Sequence, residues 1–185
     1  MDFPKSAFWD FTLAIYGREG VSPAVIALQD KHGLDVDILL FCCWTGSTGR
    51  GALGAAEIAR AKTVADPWQS QVVNALRTIR RRIKDGFEGT PTGLPDALRK
   101  QILSQEIDAE RLEQIMLEAT VTVAPDVARA AEARAANAAA SLAVYLKACG
   151  VKPGEEDLGH LSTLVGAAFT ELGSERAKAA VRAAF

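Results

Sequence analysis

Apolar residues recur along this chain at spacings of three and four, the spacing of a helix face rather than of a strand. Ser6 caps a first helix running to Tyr16, with Gly17 or Gly20 as its stop. Phe8, Trp9, Phe11, Leu13, Ile15 and Tyr16 cover most of its circumference, the pattern of a buried helix. Ser22-Pro23 supplies an N-cap and a first-turn proline for a second helix, which His32-Gly33 ends. Asp35 caps a third over 36–45, apolar without interruption from Ile38 to Trp44. Four glycines make 45–54 a loop, and a short helix follows over 55–64. Asp66-Pro67 reads as a cap and first-turn proline for the next helix. That helix carries Trp68, Val72, Leu76, Ile79 and Ile83 at spacings of 4, 4, 3 and 4.

The glycine- and proline-rich stretch 85–95 is a connection. Beyond it a long helix over 96–120 aligns Leu98, Ile102, Ala109, Leu112 and Met116 on one face, and the polar stretch 104–108 leaves room for a break into two. TVTVAP, at 120–125, alternates like a strand but has no partner strand, so it reads as a linker. Pro125 opens an alanine-rich helix reaching about Gly150, and shorter helices over 158–169 and 175–184 complete the chain. The fold expected is all-α, a single-domain bundle of seven to nine helices spanning 1–185. Compact N-terminal helices fill 1–86, and the long and C-terminal helices of 94–185 pack on them.

Composition narrows the function classes. With 49% hydrophobic and 24% charged residues the chain is globular, and a net charge of −2 argues against a general polyanion binder. Cys42, Cys43 and Cys149 form neither a disulfide framework nor a CxxC metal site, and such thiols suit a reducing cytoplasm. The N-terminus lacks a secretory pattern, and the longest apolar run is too short to cross a bilayer, so a soluble cytoplasmic protein is expected. Two histidines, His32 and His160, supply no HExxH and no Glu-x-x-His pair, and no phosphate-binding P-loop occurs. Asp35-Val-Asp37 is too sparse to hold a diphosphate's metal ions alone. Neither a metal nor a cofactor is therefore expected. GSTGRG, at 46–51, admits an anion-binding nest, although a helix connection is the preferred reading.

Two constellations remain. In LQDKHGLDVDILLFCCW, Asp35 and Asp37 lie where a helix start favours carboxylates, and His32 suits a helix end. Asp30 lies at the wrong end of its helix for its charge. One reading gathers Trp9, Asp30, His32, Asp35 and Trp44 round a pocket with acid–base capacity. The preferred reading has Asp30 tie one helix to the next through a left-handed turn at Gly33. The second constellation is LRTIRRRIK. At 100° per residue, Arg77, Arg80, Arg81 and Lys84 share an arc of about 100° away from the apolar stripe. Such a face binds an acidic partner or an anionic ligand, or else pairs with the acidic residues of 106–118. Trp9, Trp44 and Trp68 fall on core faces, and Cys42-Cys43 read as buried packing.

Three stretches, FWDFTLAIYGREGV, LQDKHGLDVDILLFCCW and PWQSQVVNALRTIRRRIK, resemble an uncharacterised proteobacterial family. Its signature has the form FWxFxLxxYxxxGV, LQDxxGxDVxxLLFxxW and PWxxxVVxxLRxxRRxLK. The likeness is strong from Phe8 to Lys84 and extends more weakly to Leu142, Tyr145 and Leu146. It implies a soluble helical bacterial protein with no known cofactor and no assigned activity. Asp30, Gly33, Asp35, Trp44, Trp68, Arg77, Arg80, Arg81 and Lys84 match the pattern, while relatives often carry Asn at the place of Asp37.

The leading expectation is a non-enzymatic interaction or adaptor protein presenting Arg77, Arg80, Arg81 and Lys84 to an acidic protein partner. The alternative is a site near Asp30 and His32 for an amphipathic or anionic small molecule, or for simple acid–base chemistry. A nucleic-acid accessory role ranks third, because no aromatics interleave the basic helix. The alanine-rich helix and Phe185 are compatible with a homodimer.

Overall fold

One helix is buried at ten consecutive positions, Asp37 to Gly46, and the rest of the chain wraps around it. In the computed structural model, residues 2–84 and 89–185 are described, and part of the connection expected at 85–95 lies outside them. The helices are α1 (Ala7–Tyr16), α2 (Val21–His32), α3 (Val36–Ser47), α4 (Ala55–Trp68), α5 (Asn74–Lys84), α6 (Leu94–Ala119), α7 (Ala131–Ala148), α8 (Glu155–Ala168) and α9 (Ser174–Ala184). The all-α bundle expected from sequence is the fold found, with no strand among the described residues. No helix among them is long and apolar enough to cross a membrane.

The buried helix is α3. It packs on α6 and α8 and most extensively on α7, whose small side chains Ala135, Ala138 and Ala139 admit a close approach. At the tightest point Gly46 lies directly against Ala138. On another side of α3, Phe8, Phe41 and Trp44 stack with ring centroids 5.3 to 5.8 Å apart. Cys42 and Cys43 are fully buried there and burial pushes both thiols up, which suits packing rather than reactivity.

Local signals hold at most helix ends. Ser6 accepts a hydrogen bond from the Trp9 N–H at 3.0 Å and donates to Glu118. Gly33 takes the left-handed φ of 67° that ends α2. Helix α2 starts earlier than Ser22-Pro23 suggests, after a left-handed Gly20. Helix α7 begins at Ala131 rather than at Pro125, and 121–130 is an irregular link, as TVTVAP suggests. This link closes over the glycine loop. The Asp126 N–H donates to the Thr48 carbonyl at 2.9 Å, and Arg50 caps the Val123 carbonyl while lying over the Trp44 ring. That arrangement favours the connection reading of GSTGRG over an anion nest.

Three expectations fail. Helix α1 is not buried all round: Phe8, Thr12 and Ile15 face inward, and Leu13 is 60% exposed. Asp66-Pro67 does not start a helix. Pro67 lies within α4, which continues through a π turn (Gln69–Val73) into α5. A π turn accommodates one extra residue, so the stripe drawn at 100° per residue slips across it. Val73 is fully buried, Val72 only half-buried, and Ile79 is 50% exposed. Helix α6 is one unbroken helix whose expected face is only partly buried: Ala109 is buried, Ile102, Leu112 and Met116 are half-buried and Leu98 is exposed. The buried positions also include Glu106, Glu113, Gln114 and Leu117, while Leu103 and Ile107 are exposed.

The α3–α7 crossing is directly testable. A Cβ at position 46 would lie 2.6 Å from the Ala138 Cβ and 2.7 Å from its backbone nitrogen, where only a shift of whole helices gives relief. Gly46→Ala should cost about 1–3 kcal/mol in urea unfolding. Gly159→Ala, in an exposed turn of α8 with open space around it, should gain about 0.5–1 kcal/mol. Equal midpoints for the two variants would contradict this packing.

A buried carboxylate cluster between two cavities as the candidate functional site

Because α3 runs through the interior, its acidic N-terminus is interior too. Asp35 accepts the Asp37 N–H on Oδ1 at 2.8 Å, and its own backbone N–H donates to the Tyr145 hydroxyl at 2.8 Å. Asp37 Oδ1 accepts from Gln114 Nε2 at 2.6 Å. Glu113, one residue before Gln114 on α6, is 0% exposed. One oxygen from each of Asp35, Asp37 and Glu113 lies within 4.8 Å of the others. Apart from a carboxyl–carboxyl contact between Asp35 and Glu113, no hydrogen-bond donor among the described residues reaches Asp35 Oδ2, Gln114 Oε1 or either oxygen of Glu113.

Burial is the main force on these acids, and it disfavours charge. It pushes Asp35 up. It pushes Asp37 up further, with the Asp35 charge adding to it. Glu113 rises far above the usual carboxylate range through burial and the charges of Asp35 and Asp37.

The basic helix meets this cluster from the side. Arg77 Nε donates to Glu106 at 2.9 Å, Nη2 to Glu110 at 2.8 Å and Nη1 to Gln29 at 3.1 Å. Arg80 makes two bonds to the same Glu106, which is only 3% exposed. Burial pushes Glu106 up, and the bonds from Arg80 and Arg77 outweigh it and hold the carboxyl below its ordinary value. The four-cation face therefore divides. Arg77 and Arg80 turn inward onto α6, while Arg81 and Lys84 are exposed. Arg81 has no ion-pair partner among the described residues.

Two cavities flank Arg77 and share Gln29, Gln69, Arg77 and Arg81 as a partition. A cleft of about 450 Å³ reaches Asp35, with Asp30, Lys62, Asp66, Tyr145 and Cys149 in its wall. A groove of about 410 Å³ lies between α1, α2, α5 and α6 and reaches Asp37. Its lining is mixed: apolar through Trp9, Leu13, Tyr16, Ile26, Leu103 and Ile107, and polar through the arginines and Glu106, Glu110 and Gln114.

The pocket expected from Trp9, Asp30, His32, Asp35 and Trp44 is not one place. Trp9 lines the groove, and Asp30 and Asp35 line the cleft. Trp44 is sealed in the aromatic core. His32 faces α8, where its Nε2 lies 3.1 Å from Asp157 Oδ1 at an angle that makes no hydrogen bond. Burial pushes Asp157 up, but bonds from Lys31 and the Gly154 N–H, with His32 beside them, hold it down at about 2. Among the described residues no hydrogen bond ties Asp30 to the start of α3. Tyr145 and Asp35 itself perform that closure. Glu106 and Glu110 lie in the acidic stretch 106–118 that the sequence offers as a partner of the basic face, and Arg77 and Arg80 pair there. Reading from sequence missed Glu113, Gln114 and Tyr145 as neighbours of Asp35 and Asp37. The signal was available for the glutamates, which recur at spacings of 4 and 3 on one helix face.

A family model described as "Protein of unknown function (DUF2390)" matches residues 7–117, more than half of the 185-residue chain. The match takes in α1 to α6, hence the three carboxylates and the arginines, but not Tyr145 or Cys149. No curated protein and no solved structure matches the chain.

Two measurements test this geometry. Arg77→Met strips a buried glutamate of one partner and should cost about 2–4 kcal/mol, against less than about 0.5 kcal/mol for Arg81→Met. Equal losses would mean that Arg77 is not held as described. For pH, Asp35, Asp37 and Glu113 have folded-state values above their unfolded ones, so the native state binds more protons. Their stabilising contribution is complete below about pH 4 and lost as pH rises. With EDTA present, wild-type stability should fall from pH 5 to pH 9, and Glu113→Gln should flatten that slope. An unchanged slope would show that Glu113 does not titrate this way.

Proposed function

The chain belongs to the DUF2390 family, and we propose that it binds a small amphipathic anion in the groove between α1, α2, α5 and α6. One observation carries the reading. Leu13, Tyr16, Ile26, Leu103 and Ile107 are exposed large apolar side chains from three helices, and all five line this one groove. Isolated exposed apolar residues are ordinary on a surface, whereas convergence in a concavity of ligand size is the signature of a binding site. Arg81 is part of the same lining, exposed and without an ion-pair partner among the described residues, and so supplies the charge for an anionic head.

A second reading, the basic face as a dock for an acidic protein, draws on the exposed Arg81 and Lys84. It rests on two cations rather than four, since Arg77 and Arg80 already hold Glu106 and Glu110.

Trp9 in the groove wall provides the readout. Titration with short alkyl carboxylates, below their micelle concentrations, should change tryptophan fluorescence in the wild type and not in Trp9→Phe. Affinity should rise about three- to fourfold per added methylene until the groove is full, from ~0.8 kcal/mol per buried CH₂. Arg81→Glu should weaken decanoate about tenfold and leave decanol unaffected. If decanoate, decanol and decyltrimethylammonium bind alike, or none binds, the amphipathic-anion reading fails. Binding of a polyglutamate peptide alone would favour the protein dock instead.

A further inference from the structure

We infer that Asp35, Asp37 and Glu113 form a site for one divalent, oxygen-seeking cation of the Mg²⁺, Mn²⁺ or Ca²⁺ class. Three carboxylates converge so that one oxygen from each lies within 4.8 Å of the other two. Opposite ligands of Mg²⁺ lie about 4.0–4.2 Å apart and those of Ca²⁺ about 4.6–5.2 Å, so the cluster spans the separation such ions require. The donor set is entirely oxygen, three carboxylates with the Gln114 amide beside them. Hard cations prefer such donors over the nitrogen and sulfur that draw zinc or copper.

Proximity alone would not make this a site. The second observation is the state of the oxygens. Glu113 is fully buried, yet apart from a carboxyl–carboxyl contact with Asp35 neither of its oxygens has a hydrogen-bond donor among the described residues, nor do Asp35 Oδ2 and Gln114 Oε1. Buried oxygens are rarely left so, and an unpaired buried charge is costlier still. The charge of Arg77 acts on Asp37, but each of its three nitrogens is committed to Glu106, Glu110 or Gln29. Lys62, across the cleft, is drawn to Asp66. A proton shared between Asp35 and Glu113 would satisfy one pair of oxygens and leave Gln114 Oε1 and the second Glu113 oxygen unserved. A cation at the centre addresses all of them together.

Supporting contacts are in place. The Asp37 N–H and Gln114 Nε2 hold Asp35 and Asp37 through one oxygen each, which orients both carboxylates. The cleft provides entry, since Asp35 forms part of its wall with Asp30 and Asp66. Asp30, at the unfavourable end of α2, thus lies on the path an incoming cation would take. The inference does not rest on ligand binding in the groove, and its test does not use that groove.

Protein stripped with EDTA is titrated with Mn²⁺, with loss of the free-ion electron paramagnetic resonance signal reporting binding. Thermal melts are recorded in parallel with Mg²⁺, Mn²⁺ and Ca²⁺, using potassium chloride at matched ionic strength as the control. One Mn²⁺ should bind per chain. The melting temperature should rise with the logarithm of cation concentration, more steeply at pH 8.5 than at pH 6, because protons compete for the same oxygens. Glu113→Gln preserves shape and Asp35→Asn preserves a good helix cap, so both should fold and bind Mn²⁺ at least tenfold more weakly. Absence of bound Mn²⁺ in the wild type, or equal binding in wild type and Glu113→Gln, would overturn the site and leave a proton-sharing acid cluster.

Discussion

Burial of α3 on every side is the constraint from which the rest of the architecture follows. A helix presents unsatisfied N–H groups at its first turn, and surface helices leave them to water. Here the first turn lies inside, so its cap must be supplied from within the protein. Asp35 takes that role and Tyr145 of α7 secures its backbone. An interior cap brings charge into a medium that resists it. The opposing helix α6 accordingly turns Glu113 and Gln114 inward alongside Ala109 and Leu117.

A second consequence runs through the long rod of α4 and α5. Its π turn shifts everything beyond it by one position, which carries Arg77 and Arg80 onto the acidic flank of α6. The pairing is internal, with Glu106 almost wholly covered, so its first effect is to hold α5 against α6. Arg77 also forms part of the wall between cleft and groove, with Gln29, Gln69 and Arg81. The fold-stabilising network and the site boundary thus share Arg77 and its partner Gln29.

The rotation of α6 also accounts for the groove. With its glutamates and glutamine directed at α3 and α5, its apolar residues Leu103 and Ile107 stay outside the core. They line one groove with Leu13 and Tyr16, which α1 leaves exposed. The apolar groove and the buried acids are complementary results of one rotational choice. Nothing in the hydrophobic residues themselves requires that choice.

Helix by helix, much of the architecture was legible along the chain. Ser6, Gly33 and Asp35 act at the positions their chemistry suggests, because capping is a contact between near neighbours. The apolar stretch from Ile38 to Trp44 is buried throughout, as an unbroken run implies. The site was only half legible. Asp35 and Asp37 stood out, but Glu113 lies 76 positions beyond Asp37, and its role depends on which face α6 turns inward. Arg77 was visible as a cation, and its pairing with 106–118 stood as the alternative to a presented face. Periodicity left the two open, because it assumes a constant 100° per residue and one π turn breaks that assumption. Sequence by itself determined the helices, their caps and the central apolar helix, since these follow from interactions spanning a turn or two. Only the tertiary structure decided which charges meet, because helix rotation is set by the sum of distant contacts and not by any local preference.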